Sequence, residues 1–164
     1  MLAAQRLVRL IETHSDGLAA ALLERTQQSE KTRNYIDKVP PDDLRQRVYE
    51  IYHHLGQWLI SKKESEVEQR YLEIGALRCR QGVLLSQLIW AILLVKDNLF
   101  DFLNREAAIE RPSEVFGELE MLQLLDQFFE WAVYYAAVGY ERSRQNAVTD
   151  GRSALGEARA ADGG

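Results

Sequence analysis

The sequence predicts an all-α fold, on three observations. Apolar residues recur at three- and four-residue steps through most of the 164-residue chain. That is the repeat of one helix face, and no stretch alternates with the two-residue repeat of a strand. Next, the run from Leu88 to Val95 includes no polar side chain, and the helical spacing continues to Leu99, Phe100 and Leu103. A helix apolar around its whole circumference is enclosed by other helices or by lipid. This run, closed by Gln87 and Lys96, is too short for a bilayer, which takes about 20 apolar residues. Residues 84–103 are therefore expected to form a central core helix covered by the amphipathic remainder. Finally, prolines and glycines fall between the periodic segments, where helices start and stop. The expected total is about five to seven helices.

The elements follow in order. Residues from Leu2 to Gln28 are predicted to be helical, with Leu7, Leu10, Ile11, Leu18, Leu22 and Leu23 on one face. Ser15, Asp16 and Gly17 interrupt that face, so a break or kink is expected, with Ser15 capping a second helix if the chain breaks. Ser29 to Pro40 is polar and proline-bounded, a connecting loop from which Tyr35 and Ile36 dock on the core. Pro41, Asp42 and Asp43 make a helix start, since proline suits the first turn and acids favour its positive end. That helix runs to about Ser61, with the stripe Leu44, Val48, Ile51, Leu55, Trp58 and Leu59. Lys62 to Glu64 is a turn. A further helix spans Glu66 to Gln81, with Val67, Tyr71, Ile74 and either Leu77 or Arg78 along one side. Gly82 stands where a glycine commonly ends a helix.

After the central helix, Asn104 to Arg111 is a polar link, unless Ala107, Ala108 and Ile109 prolong the helix. Pro112 and Ser113 begin the last helix, expected to end near Ala147. Its apolar face carries Val115, Phe116, Leu119, Leu122, Leu125, Phe128, Phe129, Ala132, Ala136 and Tyr140. At ~1.5 Å per residue it spans roughly 50 Å, longer than a small domain is wide, so part of it projects or pairs with another subunit. Thr149 to Gly164 is dominated by Gly, Ala and Asp, with Leu155 as its one large apolar residue. A disordered tail is expected there, which divides the chain into a helical domain over 1–147 and a tail over 148–164.

Composition excludes several function classes. The formal charge of −5, from 20 basic and 25 acidic residues, argues against nucleic acid as a partner, because such proteins carry a basic patch. Cys79 is the only cysteine, so there is no internal disulfide and no cysteine-based zinc site. The N-terminus has no long apolar core and carries Arg6, Arg9, Glu12 and Asp16, unlike a signal peptide. No membrane association is expected and the cytoplasm is the default compartment. Phosphate-binding glycine loops and the hydrolase nucleophile motif are missing. Glu50 and His53 make one Glu-x-x-His, but di-iron bundles use two copies with further glutamates. Neither a metal site nor catalysis is expected.

The aromatic residues are concentrated on three helices. Core filling explains most of them. Trp58 and Trp90, with Ile74 and Arg78, are also candidates to line an apolar ligand pocket. Phe128, Trp131, Tyr134 and Tyr135, beside Phe129, occupy more than one face of the last helix. A monomer helix usually buries a single stripe, so these four are candidates for a homodimer interface.

The run Ile74-Gly75-Ala76-Leu77-Arg78-Cys79-Arg80-Gln81-Gly82 resembles the segment of bacterial sensor globins that carries the haem-binding histidine: Ile-Gly, two residues, His, three residues, Gly. Here Arg78 stands at the histidine position. The sequence is more closely similar to the non-haem N-terminal domains of the RsbR and RsbRD type of stressosome co-antagonist. The shared features are Leu22 to Arg25 (Leu-Leu-Glu-Arg), Pro41 to Leu44 (Pro-x-x-Leu) and Gly75 to Gly82 (Gly-x-x-Arg-x-x-x-Gly), and the likeness extends over residues 5–142. It implies a globin-like helical fold, a homodimer, no haem or other cofactor, and a sensory role with a signalling protein or output domain as partner. Those co-antagonists continue into a phosphorylatable STAS output domain, whereas this sequence ends in the expected tail. It is either part of a longer protein or acts alone. The alternatives are a haem- or gas-binding globin, which needs an iron ligand that Arg78 does not offer, and a carrier of a small apolar ligand, which rests on the aromatics.

Overall fold

The computed structural model describes residues 2–106 and 112–161. Among them the chain is all-α, with helices α1 (Leu2–Thr13), α2 (Ser15–Gln28), α3 (Arg33–Lys38), α4 (Pro41–Ser61), α5 (Glu64–Arg80), α6 (Leu85–Glu106) and α7 (Pro112–Ala161). Residues 107–111, where the expected link or helix extension falls, lie outside the described residues.

Local chemistry explains most of the boundaries. The first helical stretch breaks at His14, which is the N-cap of α2. Ser15 is not the cap; its hydroxyl donates back to the Glu12 carbonyl at 3.2 Å. The expected loop before Pro41 contains a one-and-a-half-turn helix, α3, and Tyr35 from it is buried as expected. Pro41 begins α4 with Asp42 and Asp43 in its first turn. Lys62 ends α4 in the left-handed conformation, φ 54°. Gly82 follows α5 at φ 74°, the position and conformation of a terminating glycine.

One core joins all the helices. α1 packs on α4 and α7, and α2 on α4 and α6. Leu55, Trp58 and Leu59 of α4, Leu88 and Leu99 of α6, and Leu125, Phe128 and Phe129 of α7 are among its largest fully buried members, with Tyr52 of α4 and Ile11 of α1. The central apolar helix is present as α6, with Leu88, Ile92, Val95, Leu99 and Phe102 on its buried face. It is not enclosed on every side, since Ile89, Trp90, Leu93 and Leu94 are half-buried. Long basic side chains take the place of another helix there: the Lys31 ammonium lies 3.7 Å from the centre of the Trp90 ring. Buried polar groups are tied in as well. Asn98 donates to the Tyr52 hydroxyl at 2.8 Å and to the Leu18 carbonyl at 3.0 Å, pinning α6 to α4 and α2.

The longest element departs from expectation. α7 has 50 residues, about 75 Å at ~1.5 Å per residue, and it continues through the stretch read as a disordered tail. From Arg144 to Ala161 every residue is exposed. Ala, Arg and Glu in that stretch are strong helix formers, and extending an existing helix avoids the nucleation that an isolated segment would need. No helix among the described residues is long and apolar enough to cross a membrane.

Candidate functional site

Two unlike contacts meet on α5. On one side α5 lies against α7 along its length. A Cβ on Gly75 would overlap the Ala136 carbonyl oxygen and stand 2.8 Å from the Tyr140 nitrogen. A Cβ on Gly139 would overlap the Leu72 carbonyl. The two backbones touch because both helices carry glycine at the crossing, and Ala132 and Ala136 extend the small-residue surface at full burial. Tyr140 adds a bond at the end of this seam, its hydroxyl donating to the Val83 carbonyl at 2.6 Å. Lys38 donates to the next carbonyl, Gly82, at 2.6 Å, so the turn between α5 and α6 is held from both α7 and α3.

On its other side α5 lines a partly open cavity of about 60 Å³. Arg70, Tyr71, Ile74 and Arg78 face it from α5. Leu22 and Thr26 of α2, Tyr35 of α3, Arg47 and Val48 of α4, and Leu88 and Ile92 of α6 are among the rest of its wall. Among the described residues α7 contributes nothing to it. Arg78 is only 2% exposed. Its guanidinium donates to Gln81 Oε1 at 2.7 Å, stands 3.6 Å from Asp43 Oδ2, and lies 5.4 Å from the centre of the Tyr35 ring. Its Nε has no partner among the described residues, and neither has Arg70 Nε. Arg47 and Arg70 both reach Glu50 Oε2 at 3.4 Å, and Arg47 reaches Asp43 at 3.5 Å. Burial pushes the Tyr35 hydroxyl pKa up, opposed by the Arg78 charge, so Tyr35 stays a neutral partner of the guanidinium.

The candidate residues therefore separate. Ile74 and Arg78 do line the cavity. Trp58 does not: it is in the core against α7, its ring 5.2 Å from Phe128 and edge-on to Trp131 at 5.9 Å, with its Nε1 donating to the Lys63 carbonyl. Trp90 does not either, because it faces outward beneath Lys31. Among the proposed interface residues, Phe128 is 0% exposed within its own chain and cannot reach a partner. The physical reason is that α7 is covered within its own chain, by α5 along its length and by α6 and α1 beside it, with Trp58 of α4 against Phe128. Trp131 is half-buried. Tyr135 donates to Glu64 at 2.5 Å, and that bond to the carboxylate holds its pKa up at about 12. Tyr134 alone is well exposed, at 62%.

The sequence reading missed Tyr35, Asp43, Arg47 and Arg70 as members of this site. A signal was available: Arg47 and Arg70 each adjoin a stripe residue, Val48 and Tyr71, and Asp43 was read only as a helix-terminal acid. Glu50 and His53 are not a pair. Glu50 serves the two arginines, while His53 stacks on Tyr49 at 6.2 Å. Among the described residues no group of His, Cys, Asp or Glu is placed to hold a metal ion.

The residues do not fit a haem. Guanidinium offers iron no lone pair, and a cavity of about 60 Å³ is far below the roughly 300–1,000 Å³ of ordinary cofactor pockets. Neither curated proteins nor solved structures return a match to the sequence. A family model does, over residues 4–155. That span reaches from α1 into the exposed part of α7 and takes in both faces of α5. The chain belongs to the family of the RsbT co-antagonist protein rsbRD N-terminal domain.

Proposed function

We propose that this chain is a non-catalytic sensory module of bacterial stress signalling. The occupancy or packing of its interior sets the position of α5, and α7 carries that position to an output domain or partner. One observation supports this above the rest: α5 lines the arginine-walled cavity with one face and touches the α7 backbone with the other. A displacement at Arg78 meets no compliant layer before it reaches α7. Family membership supports the regulatory part of the reading, since the family is named for co-antagonism of RsbT. We read the fold as globin-like without haem, with Arg78 turned inward where the sensor-globin pattern has its histidine.

The reading includes a homodimer in the cytoplasm. About 18 residues at the end of α7, Arg144 to Ala161, have no cover in the monomer, whereas most helical stability in proteins comes from packing of an apolar face. Val148 and Leu155, both well exposed, fall seven residues apart on one side of it. Pairing with a second copy of α7 covers them by one self-complementary surface. Light scattering tests this part: the expected mass is twice the 18.9 kDa of one chain, and a mass of one chain contradicts it.

The sensory role is tested in the native host by replacing Arg78 with Met in the gene and reading a stress-response reporter. The expected result is a shifted basal level or induction threshold at unchanged protein abundance. A reporter indistinguishable from wild type removes the sensory reading.

A further inference from the structure

We propose that the cavity beside α5 is a binding site for a small organic monoanion, a short-chain carboxylate whose head pairs with Arg78 and whose body lies among apolar side chains. Three guanidiniums, Arg47, Arg70 and Arg78, belong to its wall, and among the described residues no carboxylate does. Outside the wall, Asp43 and Glu50 are the two acids that answer them, at 3.4–3.6 Å. Charge-assisted bonds are normally about 2.7–2.9 Å, so each contact is loose, and each acid is shared between two arginines. Three positive charges meet two negative ones, and while Arg47 and Arg70 also reach solvent, Arg78 does not. Arg78 is the deepest of the three, 2% exposed with Nε unpartnered among the described residues. A buried donor left without a partner is costly, and a buried charge without full compensation more so.

The remainder of the wall narrows the ligand. Its other side is aliphatic, with Leu22, Val48, Ile74, Leu88 and Ile92. A phosphate or sulfate needs donors on all sides, whereas a carboxylate presents two oxygens at one end and carbon at the other. A volume of about 60 Å³, against the roughly 10–15 Å³ of such volume that one water needs, has room for about four to six non-hydrogen atoms, a carboxylate with a body of a few carbons. The site rests on the sensory reading only for its consequence in the cell; binding itself does not.

The test uses the full chain and calorimetric titration with sodium acetate, butyrate and octanoate, with chloride and phosphate as inorganic comparisons at constant ionic strength. The expected result is saturable binding of butyrate at one per chain, weaker binding of acetate and octanoate, and none of phosphate. Arg78→Met should weaken butyrate binding at least tenfold. Because that change also alters the ion cluster, Ala91→Leu serves as the second variant: it keeps every charge, fills the cavity from α6, and should abolish binding at unchanged helical content. Absence of saturable butyrate binding overturns the proposal. So do affinity equal to that of phosphate or chloride, a response flat across the three chain lengths, or full affinity in both variants. If butyrate binds as described and the Arg78→Met reporter is unchanged, the site stands and the sensory reading falls.

Discussion

The two faces of α5 are built on opposite principles. Against α7 the contact is as close as backbones allow, made by Gly75 and Gly139 with alanines beside them, and Glu64 accepts from Tyr135 at its outer end. Against the cavity the same helix presents a buried arginine, loose ion pairs and empty volume. Tight packing transmits displacement and stabilises; an under-filled, charged wall does neither, and persists only if something else uses it. The difference teaches how one helix can divide two tasks: the seam holds the fold, and in the proposed reading the cavity holds the capacity to respond.

The seam should break first. Gly75→Ala and Gly139→Ala each insert a methyl group into a backbone carbonyl, which has no rotamer to escape to. Overpacking of this kind costs about 1–3 kcal/mol, and the upper end is expected, although Ala is favoured over Gly within a helix by up to ~1 kcal/mol. Gly17 of α2 has nothing within 4 Å of a Cβ, so Gly17→Ala should stabilise by up to about 1 kcal/mol. Urea unfolding decides: the same substitution must have opposite signs at the two places. A smaller loss is expected from Tyr140→Phe, which removes the 2.6 Å bond to the Val83 carbonyl. The expected loss is about 1 kcal/mol, read from the same curves.

His54 gives a pH dependence on the packed side. It lies 6.4 Å from the Phe128 ring, and burial, helped by the Arg70 charge, lowers its pKa from 6.5 to about 4. Between those values the unfolded chain holds the proton and the folded chain does not, so stability falls as pH drops from 6.5 towards 4 and levels off below. Melting temperatures across that range should show the fall, and His54→Gln should reduce it. At the cavity the smallest stability effect is expected. Arg78→Met removes one partner of an ion pair, which is costly when the other is left buried and alone, but Asp43 is one-third exposed and keeps Arg47. The expected change is within about 1 kcal/mol of zero; a variant that fails to fold would make Arg78 a structural keystone and erase the contrast between the two faces.

How much of this was legible follows the chemistry of each signal. The helix starts and stops were, because Pro41 and Gly82 act locally. The inward turn of Arg78 was half legible: it continues the stripe of Val67, Tyr71 and Ile74, but a charge on a stripe reads equally well as its edge. The seam was not legible, since glycine has no hydropathy to betray that Gly75 and Gly139 meet across 64 positions of sequence. The aromatics misled for a related reason. Phe128 and Phe129 point about 100° apart, and both are buried because α5, α6 and α1 cover more than one face of α7; counting aromatics on α7 read as a partner chain what helices of the same chain supply. The continuation of α7 past Ala147 was missed because Gly151 and Gly156 weighed more in the reading than the alanines, arginines and glutamates around them.

The central claim is that α5 couples the cavity to α7, and amide hydrogen exchange in wild type and Arg78→Met tests it most directly. The account predicts that protection changes together in residues 70–80 of α5 and 132–147 of α7, while Arg6 to Glu12 of α1 stay at the wild-type rate. Altered exchange in α5 with α7 unchanged would contradict it.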